Sequence, residues 1–486
     1  MKKSIYIKET KYLTLLLLFV SLLFEGCSSE FIHLEPISDP SVASFYKNES
    51  DIEQAVVASY AALQSNNLYG RGFLYLMETR SDNSIVTDLT KGIGEEGNLD
   101  LFREAPTNKY VSSAWIASYT AIQRCNIVLD RIDGIEMDAN RKEVRKGEVK
   151  FIRALIYFNL VRLWGEVPVV LKEIDNVANA YDHIRQPLNE VYEAIISDLN
   201  SAITTLPNAQ SDIGRVTKGA AITLLGKVHL TLNNWQDAIT TLKQAETLGY
   251  QILPNYADVF DAENQNNKES IFEVQFKGGL EGEGSLLLRL HTPQGDTSLL
   301  NGVGGSGVGE NMPTQDLLDA FSGFDVRNPT TIAALLDGRL HTNKYNAIPV
   351  DTNDEDNNFM VLRYSDVLLM LAEATNEVGY VADGEAFDYI NIIRVRAGLP
   401  ALNAVNITTQ QEFRDAVLLE RRLEFAFENH RWFDLLRTGK AIEVMSNYNE
   451  TRAPLLISEH HVLFAIPQGQ IDIMNNELTF PQNPGY

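Results

Sequence analysis

The sequence predicts a mainly α protein, a scaffold of tetratricopeptide-like helical repeats that carries an irregular, loop-rich half. Three observations predict it. From Asp51 onward most segments place apolar residues at helical spacing, and strand-like alternation is confined to short stretches such as Ile271–Phe276. Residues 221–250, AITLLGKVHLTLNNWQDAITTLKQAETLGY, read as a helix to Leu232, a turn at Asn233-Asn234 and a second helix. Leu225, Gly226 and His229 with Ala238, Leu242 and Ala245 give the spacing of a tetratricopeptide unit, in which small residues let paired helices approach and large ones fill the gap. Between Lys277 and Asp356 the pattern becomes Gly-rich and polar, with GGLEGEGS and NGVGGSGVGE, before helices resume near Val361.

The elements follow in order. Lys2, Lys3, Lys8 and Lys11 precede an apolar run from Leu13 to Phe24, too short to span a membrane but suited to the core of a signal peptide. Gly26-Cys27-Ser28-Ser29 resembles the bacterial lipobox, so residues 1–26 are expected to be a lipoprotein leader and Cys27 the lipidated first residue. Several acyl chains would anchor the protein stably. Residues 27–50 then form a tether and lead-in, and 51–486 one domain, with helical repeats over about 109–250 and 360–440 and a loop-rich insertion over about 277–358. Looser repeat echoes occur at Arg153-Ala154 with Tyr157, and at Ala374 with Ala386, Ile390 and Ile393. Single repeats cannot bury their faces alone, so several must stack. Residues 391–400, NIIRVRAGLP, end a helix with Arg in its last turn, Gly at the stop and Pro beyond.

Composition narrows function. With 44% hydrophobic residues the chain can build a core without covalent staples. Of its two cysteines, Cys27 is taken by the leader site, and Cys125 is expected to pack as a small buried hydrophobe. A net charge of -24 argues against nucleic acid, whose binding needs basic clusters. No Walker, H-E-x-x-H or G-x-S-x-G motif is present, and the adjacent His460 and His461 are expected to point to different sides. Gly302–Gly307 satisfies G-x-G-x-x-G, but no apolar strand leads into it. The acidic stretch 351–358, DTNDEDNN, lacks EF-hand spacing and reads as solvated loop. No metal or cofactor is therefore expected. Glu420, Glu424 and Glu428 recur on one helical face among Arg421, Arg422, Arg431 and Arg437, and the interleaved Leu423, Phe425, Phe427, Trp432 and Phe433 make this a packing network more than a catalytic one. A glycosidase needs only two facing carboxylates and no local motif, so it stays open as an enzyme reading.

Further segments carry a resemblance. The run from Gly147 through Arg153, Tyr157 and Trp164 to Gly165 and Pro168 is similar to the SusD/RagB family's helix ending in a Gly-x-x-Pro turn, and Ser112–Ile132 resembles the helix before it. Pro313-Thr314 with Asp316, Leu317, Phe321, Asp325 and Arg327, then Leu362–Asp366 with Ala372-Glu373-Ala374, then the E-R-R-x-E and R-W-x-D-L motifs within Glu420–Leu436, and finally Phe464–Pro467 with Gln482–Tyr486, follow the family's order. The resemblance spans nearly the whole mature chain. It implies a SusD-like fold of four tetratricopeptide-like units, an outer-membrane lipoprotein facing the cell exterior, and no catalysis. It further implies capture of oligosaccharides or polysaccharides for a SusC-like TonB-dependent transporter, with a peptide or another nutrient as the alternative cargo.

Sugar capture calls for aromatic rings that stack on pyranose faces and planar polar groups that bind hydroxyl pairs. Tyr69 and Tyr75 lead into Arg80, Asp82 and Asn83, a stretch resembling the family segment before a binding loop; these residues either ligate hydroxyls or hold the fold through a buried Arg80–Asp82 pair. In the loop-rich half Arg289, His291, Asn343 and Tyr345 are expected to be exposed ligand contacts.

Overall fold

A computed structural model describes residues 46–90, 94–279, 282–303, 305–448 and 457–486. The leader, Cys27 and most of the lead-in lie outside them. Residues 52–486 form one compact unit. Its longer helices are α1 (Glu49–Leu63), α2 (Lys109–Arg131), α3 (Ala139–Trp164), α4 (Leu188–Thr205), α5 (Lys218–Thr231), α6 (Trp235–Leu242), α7 (Tyr364–Val378), α8 (Glu385–Arg396), α9 (Gln410–Phe425) and α10 (Arg431–Arg437). Side chains set their ends. Asn108 accepts from the Tyr110 and Val111 amides at the start of α2, Asp138 from Arg141 at the start of α3, and Thr409 with Glu412 makes a reciprocal capping box at α9. Gly165, at φ 75, lets the chain turn away from α3, and Gly398, at φ 73, does the same after α8.

Consecutive helices stack, α2 on α3, α3 on α4, α4 on α5, α5 on α6, α6 on α7, and α7 on both α8 and α9. This staircase is the predicted repeat scaffold. The α5–α6 unit has the predicted turn, with Asn233 at φ 59. Gly226 is required there, because a Cβ would sit 2.4 Å from Leu242. Helix α6 is shorter than the spacing predicts, giving way to a 3-10 turn at Ala245–Thr247.

Strands are short and antiparallel: β1 (Ser84–Ile85) pairs with β5 (Met312–Pro313), β2 (Val167–Pro168) with β3 (Arg185–Gln186), β4 (Ser270–Val274) with β8 (Phe359–Arg363), and β6 (Ala333–Ala334) with β7 (Leu340–His341). Val361, where helix was expected to resume, lies in β8, so helix begins three residues later. The β4–β8 pair is buried along its length and closes the loop-rich insertion back onto α7.

The core centres on α3, whose residues 151–164 are buried apart from a half-exposed Arg162. Trp164 stacks edge-on to Trp115, with centroids 5.4 Å apart, and donates to Ala465 O at 3.1 Å. The tail is tied there, because Asn483 Nδ2 donates to Trp164 O at 2.9 Å and to Phe464 O at 2.7 Å. Cys125 is fully buried, and burial pushes its thiol up to about 12. The charged cluster holds packing, as the sequence predicts, but helix α9 ends at Phe425 and Glu428 lies in the turn beyond it, off the expected common helical face: Glu420 pairs with Arg327 and Arg394, Glu424 with Arg327, Arg363 and Arg396, and Glu428 with Arg363 and Lys344. Among the described residues no helix is long and apolar enough to cross a membrane.

Candidate ligand-binding face

Seven of the nine residues expected to meet a ligand are buried. Leu74–Glu78 form a π-helical turn whose side chains all point into the core, and this turn withdraws the 69–83 stretch from the surface. Tyr69 accepts from Asn159 at 2.9 Å. Tyr75 donates to the buried Glu310 and accepts from Arg71 at 2.6 Å. The expected Arg80–Asp82 pair gives way to two separate ones. Arg80 binds Glu104 at 2.7 Å, its guanidinium between the Phe102 and Phe464 rings, whereas Asp82 takes a fork from Arg431, both bonds 2.8 Å. Burial opposes charge on Asp82, yet Arg431 and Arg422 outweigh it and hold the carboxyl below its usual range. Asn83 accepts from Arg422 at 2.9 Å.

The expectation of exposure is corrected for His291 and Tyr345 too. His291 has its rings of contact in Tyr345, at 4.6 Å, and Phe427, and its two nitrogens face Leu287 O and the Asn311 amide. Burial lowers it to about 4, so it is neutral. Tyr345 donates to Phe427 O at 2.8 Å. Asn343 is exposed as expected, with its amide on Pro329 O at 2.9 Å.

Arg289 is the predicted residue that stands at an open polar surface. It lies in the helical turn Leu287–His291, whose first amides are held by Glu355, at 2.7 Å from Leu288 N and 3.1 Å from Arg289 N. Glu355 belongs to the acidic stretch read as solvated loop; it is fully buried, and desolvation pushes its carboxyl up to about 7. The Arg289 guanidinium donates to Ser306 O at 3.0 Å and to Asn353 Oδ1 at 2.5 Å, joining two loops.

Beside Asn353 opens a cleft of about 600 Å³, lined by Gln64, Ser65 and Asn66 after α1, by the Gly282–Gly284 segment, and by Asp351–Asp354. Gln64 spans it, donating to Gln275 O at 2.8 Å and Glu283 at 3.0 Å. Asp354 accepts from Gly279 N at 2.9 Å, and a Cβ on Gly284 would fall 2.1 Å from its carboxylate. Only glycine fits so close. On the other side of Arg289 a polar shelf runs from Asp88 through Gln294 and Asp296 to Arg339 and Asp337, with Gln294 donating to Asp88 at 3.3 Å and Arg339 to Gln294 O at 2.8 Å. The cleft offers amides, hydroxyls and three carboxylates, groups that bind hydroxyl pairs, and among the described residues no aromatic ring lines it. Among the described residues no three His, Cys, Asp or Glu side chains converge to hold a metal ion. Sequence reasoning missed the cleft because it is made by the meeting of the Gly-rich and acidic stretches; their composition marked each as loop, and nothing local tied one to the other.

Two family models match the chain, one described as the SusD family over residues 336–486, the other as starch-binding and associating with the outer membrane over residues 30–230. The chain is similar to SusD-like proteins along both of these segments. It is 29% identical to SusD-like protein P25 of Formosa agariphila, across 94% of this chain and 96% of that one, and 26% identical to SusD-like protein P2 of the same organism, across 98% and 99%. Among solved structures, a laminarin-binding SusD-like protein shares 28% identity with a TM-score of 0.77, covering 91% of this chain and all of that one. As SusD-like structures have a tetratricopeptide-like helical fold, the staircase of α2–α9 is the family's scaffold. These relatives are described by what they resemble or bind, not by a reaction.

Proposed function

We propose that this SusD-like chain is a lipid-anchored surface protein that captures a neutral oligosaccharide in the Gln64–Asp354 cleft beside Arg289 and passes it, unaltered, to a SusC-like TonB-dependent transporter. The observation that carries the reading is the cleft itself, large enough for a few sugar units and lined by planar amides and carboxylates suited to hydroxyl pairs. Full-length similarity to a laminarin-binding relative supports a glucan as first candidate. Its three carboxylates favour uncharged sugars over anionic ones. The anchor is placed at Cys27, within the sequence that resembles a lipobox.

The test is affinity electrophoresis of the chain lacking residues 1–27 through gels containing laminarin, starch, xylan, mannan and peptide-rich controls. Retardation by one polysaccharide, abolished by Arg289→Ala with Asn353→Ala and unaccompanied by new reducing ends, supports capture. Reducing ends would establish a hydrolase, and retardation by none would leave a peptide or another nutrient as cargo. Release of a Cys27→Ala chain from the membrane fraction checks the anchor, and co-purification with a β-barrel transporter checks the partner.

A further inference from the structure

Three of the four tryptophans, Trp115, Trp164 and Trp432, are buried. The fourth is not. Trp235, the first residue of α6, is half-exposed on the wall of a cavity of about 370 Å³ enclosed by α6, α7, α9 and α10. Among the described residues no ring, cation or hydrogen-bond acceptor occupies its indole. It is set at this wall by the preceding turn, in which Asn233 adopts φ 59 and remains exposed.

The rest of the wall is planar and polar. Arg414 forks onto Glu377 at 2.5 and 2.7 Å, Arg437 pairs with Glu373, and Gln411, exposed on α9, is steadied by Asp415 at 3.0 Å. With Lys440, which pairs with Glu443 at 2.9 Å, the lining holds three cations and three carboxylates. Its guanidiniums are neutralised in place, so the cavity gives an ion little electrostatic preference, while the outer edge of the partly exposed Arg414–Glu377 fork keeps N–H groups and lone pairs for neutral hydroxyls. An open indole face beside such edges is the combination that binds a pyranose, the ring stacking on the apolar face and the edges taking hydroxyl pairs. The volume lies within the range of small-molecule sites.

We propose that this cavity is a second carbohydrate subsite, separate from the loop cleft, which stacks an uncharged pyranose unit of a bound glycan on Trp235 and binds its hydroxyls through Gln411, Asn233 and the Arg414–Glu377 fork. It supplies the aromatic platform that the loop cleft lacks. A long chain held at both places would gain avidity without a new contact at either.

Because the other three indoles are buried and do not line the cavity, a ligand-induced change in tryptophan emission reports on Trp235. The chain lacking residues 1–27 is titrated with laminarihexaose, cellohexaose, maltohexaose, xylohexaose and mannohexaose, reading emission and calorimetric stoichiometry together. The expected result is a saturable emission change with at least one of them. It is abolished by Trp235→Ala, which also lowers the stoichiometry by one site or the affinity by about tenfold, while the melting profile is kept. Gln411→Ala, on an exposed side chain, retains the indole and shifts the same titration to weaker binding. No emission change with any of the five, or a Trp235→Ala chain that binds with unaltered stoichiometry and affinity, overturns the subsite.

Discussion

Glu78 lies beneath the turn that follows α9, its carboxylate accepting the Phe427 and Asn429 amides at 2.8 Å each. Full burial pushes it from 4.5 up to about 7, only partly offset by those two bonds, and Glu355 is raised to the same level by the same cause. A carboxyl raised in this way binds its proton more tightly in the folded chain, so its stabilisation is complete below about 4.5 and fades as pH rises through about 7. Melting temperature should therefore fall between pH 5 and pH 7.5, and Glu78→Gln should flatten part of that slope, as thermal melts across the range would reveal; an unchanged slope would show that Glu78 titrates as an ordinary carboxylate. Arg363 tests the opposite kind of residue. It is buried among Glu269, Glu424 and Glu428, so Arg363→Met takes one cation from each of three buried carboxylates and is expected to cost about 3–5 kcal/mol in denaturant unfolding. The charge-rich α9 motif was legible as structural because apolar residues interleave with it. The burial of Arg80, Asp82, His291 and Tyr345 was not, because a polar side chain is buried only when its partners arrive, and Glu104, Arg431, Asn311 and Phe427 come from distant segments.

At the level of elements, the helix pairs depend on small residues and caps that the sequence displays openly. Gly226→Ala forces a methyl group into Leu242 across the α5–α6 interface, and should destabilise the chain by about 1–3 kcal/mol in chemical denaturation. Thr409→Ala removes half of the capping box at α9 and should cost about 1 kcal/mol, read in the same assay. These positions were readable because a repeat's spacing and a cap are local signals. The short strands were harder. β4 showed itself as Ile271–Phe276, but its partner β8 was taken for the beginning of a helix, since four apolar residues, FMVL, before Arg363 suit either state until pairing across more than eighty residues decides it.

For the whole molecule, a net charge of -24 and the carboxylates of Glu283, Asp351 and Asp354 around one cleft predict discrimination by charge. Sulfated or uronic-acid polysaccharides should retard the protein less than neutral ones of similar linkage at low salt, and the difference should shrink as ionic strength passes about 0.15 M. Equal retardation at all salt concentrations would rule out this electrostatic filter. The sequence by itself determined the helical repeat scaffold with its loop-rich half and the resemblance to SusD-like proteins, since periodicity, caps, glycine stops and ordered motifs are written along the chain. Only the tertiary structure decided which polar residues reach the surface. It buried seven of the nine expected contacts, joined the Gly-rich and acidic stretches into a cleft, and left Trp235 open on a cavity between four helices. The reason is physical: exposure belongs to surfaces assembled from segments far apart in sequence, and no local pattern records which of them will meet.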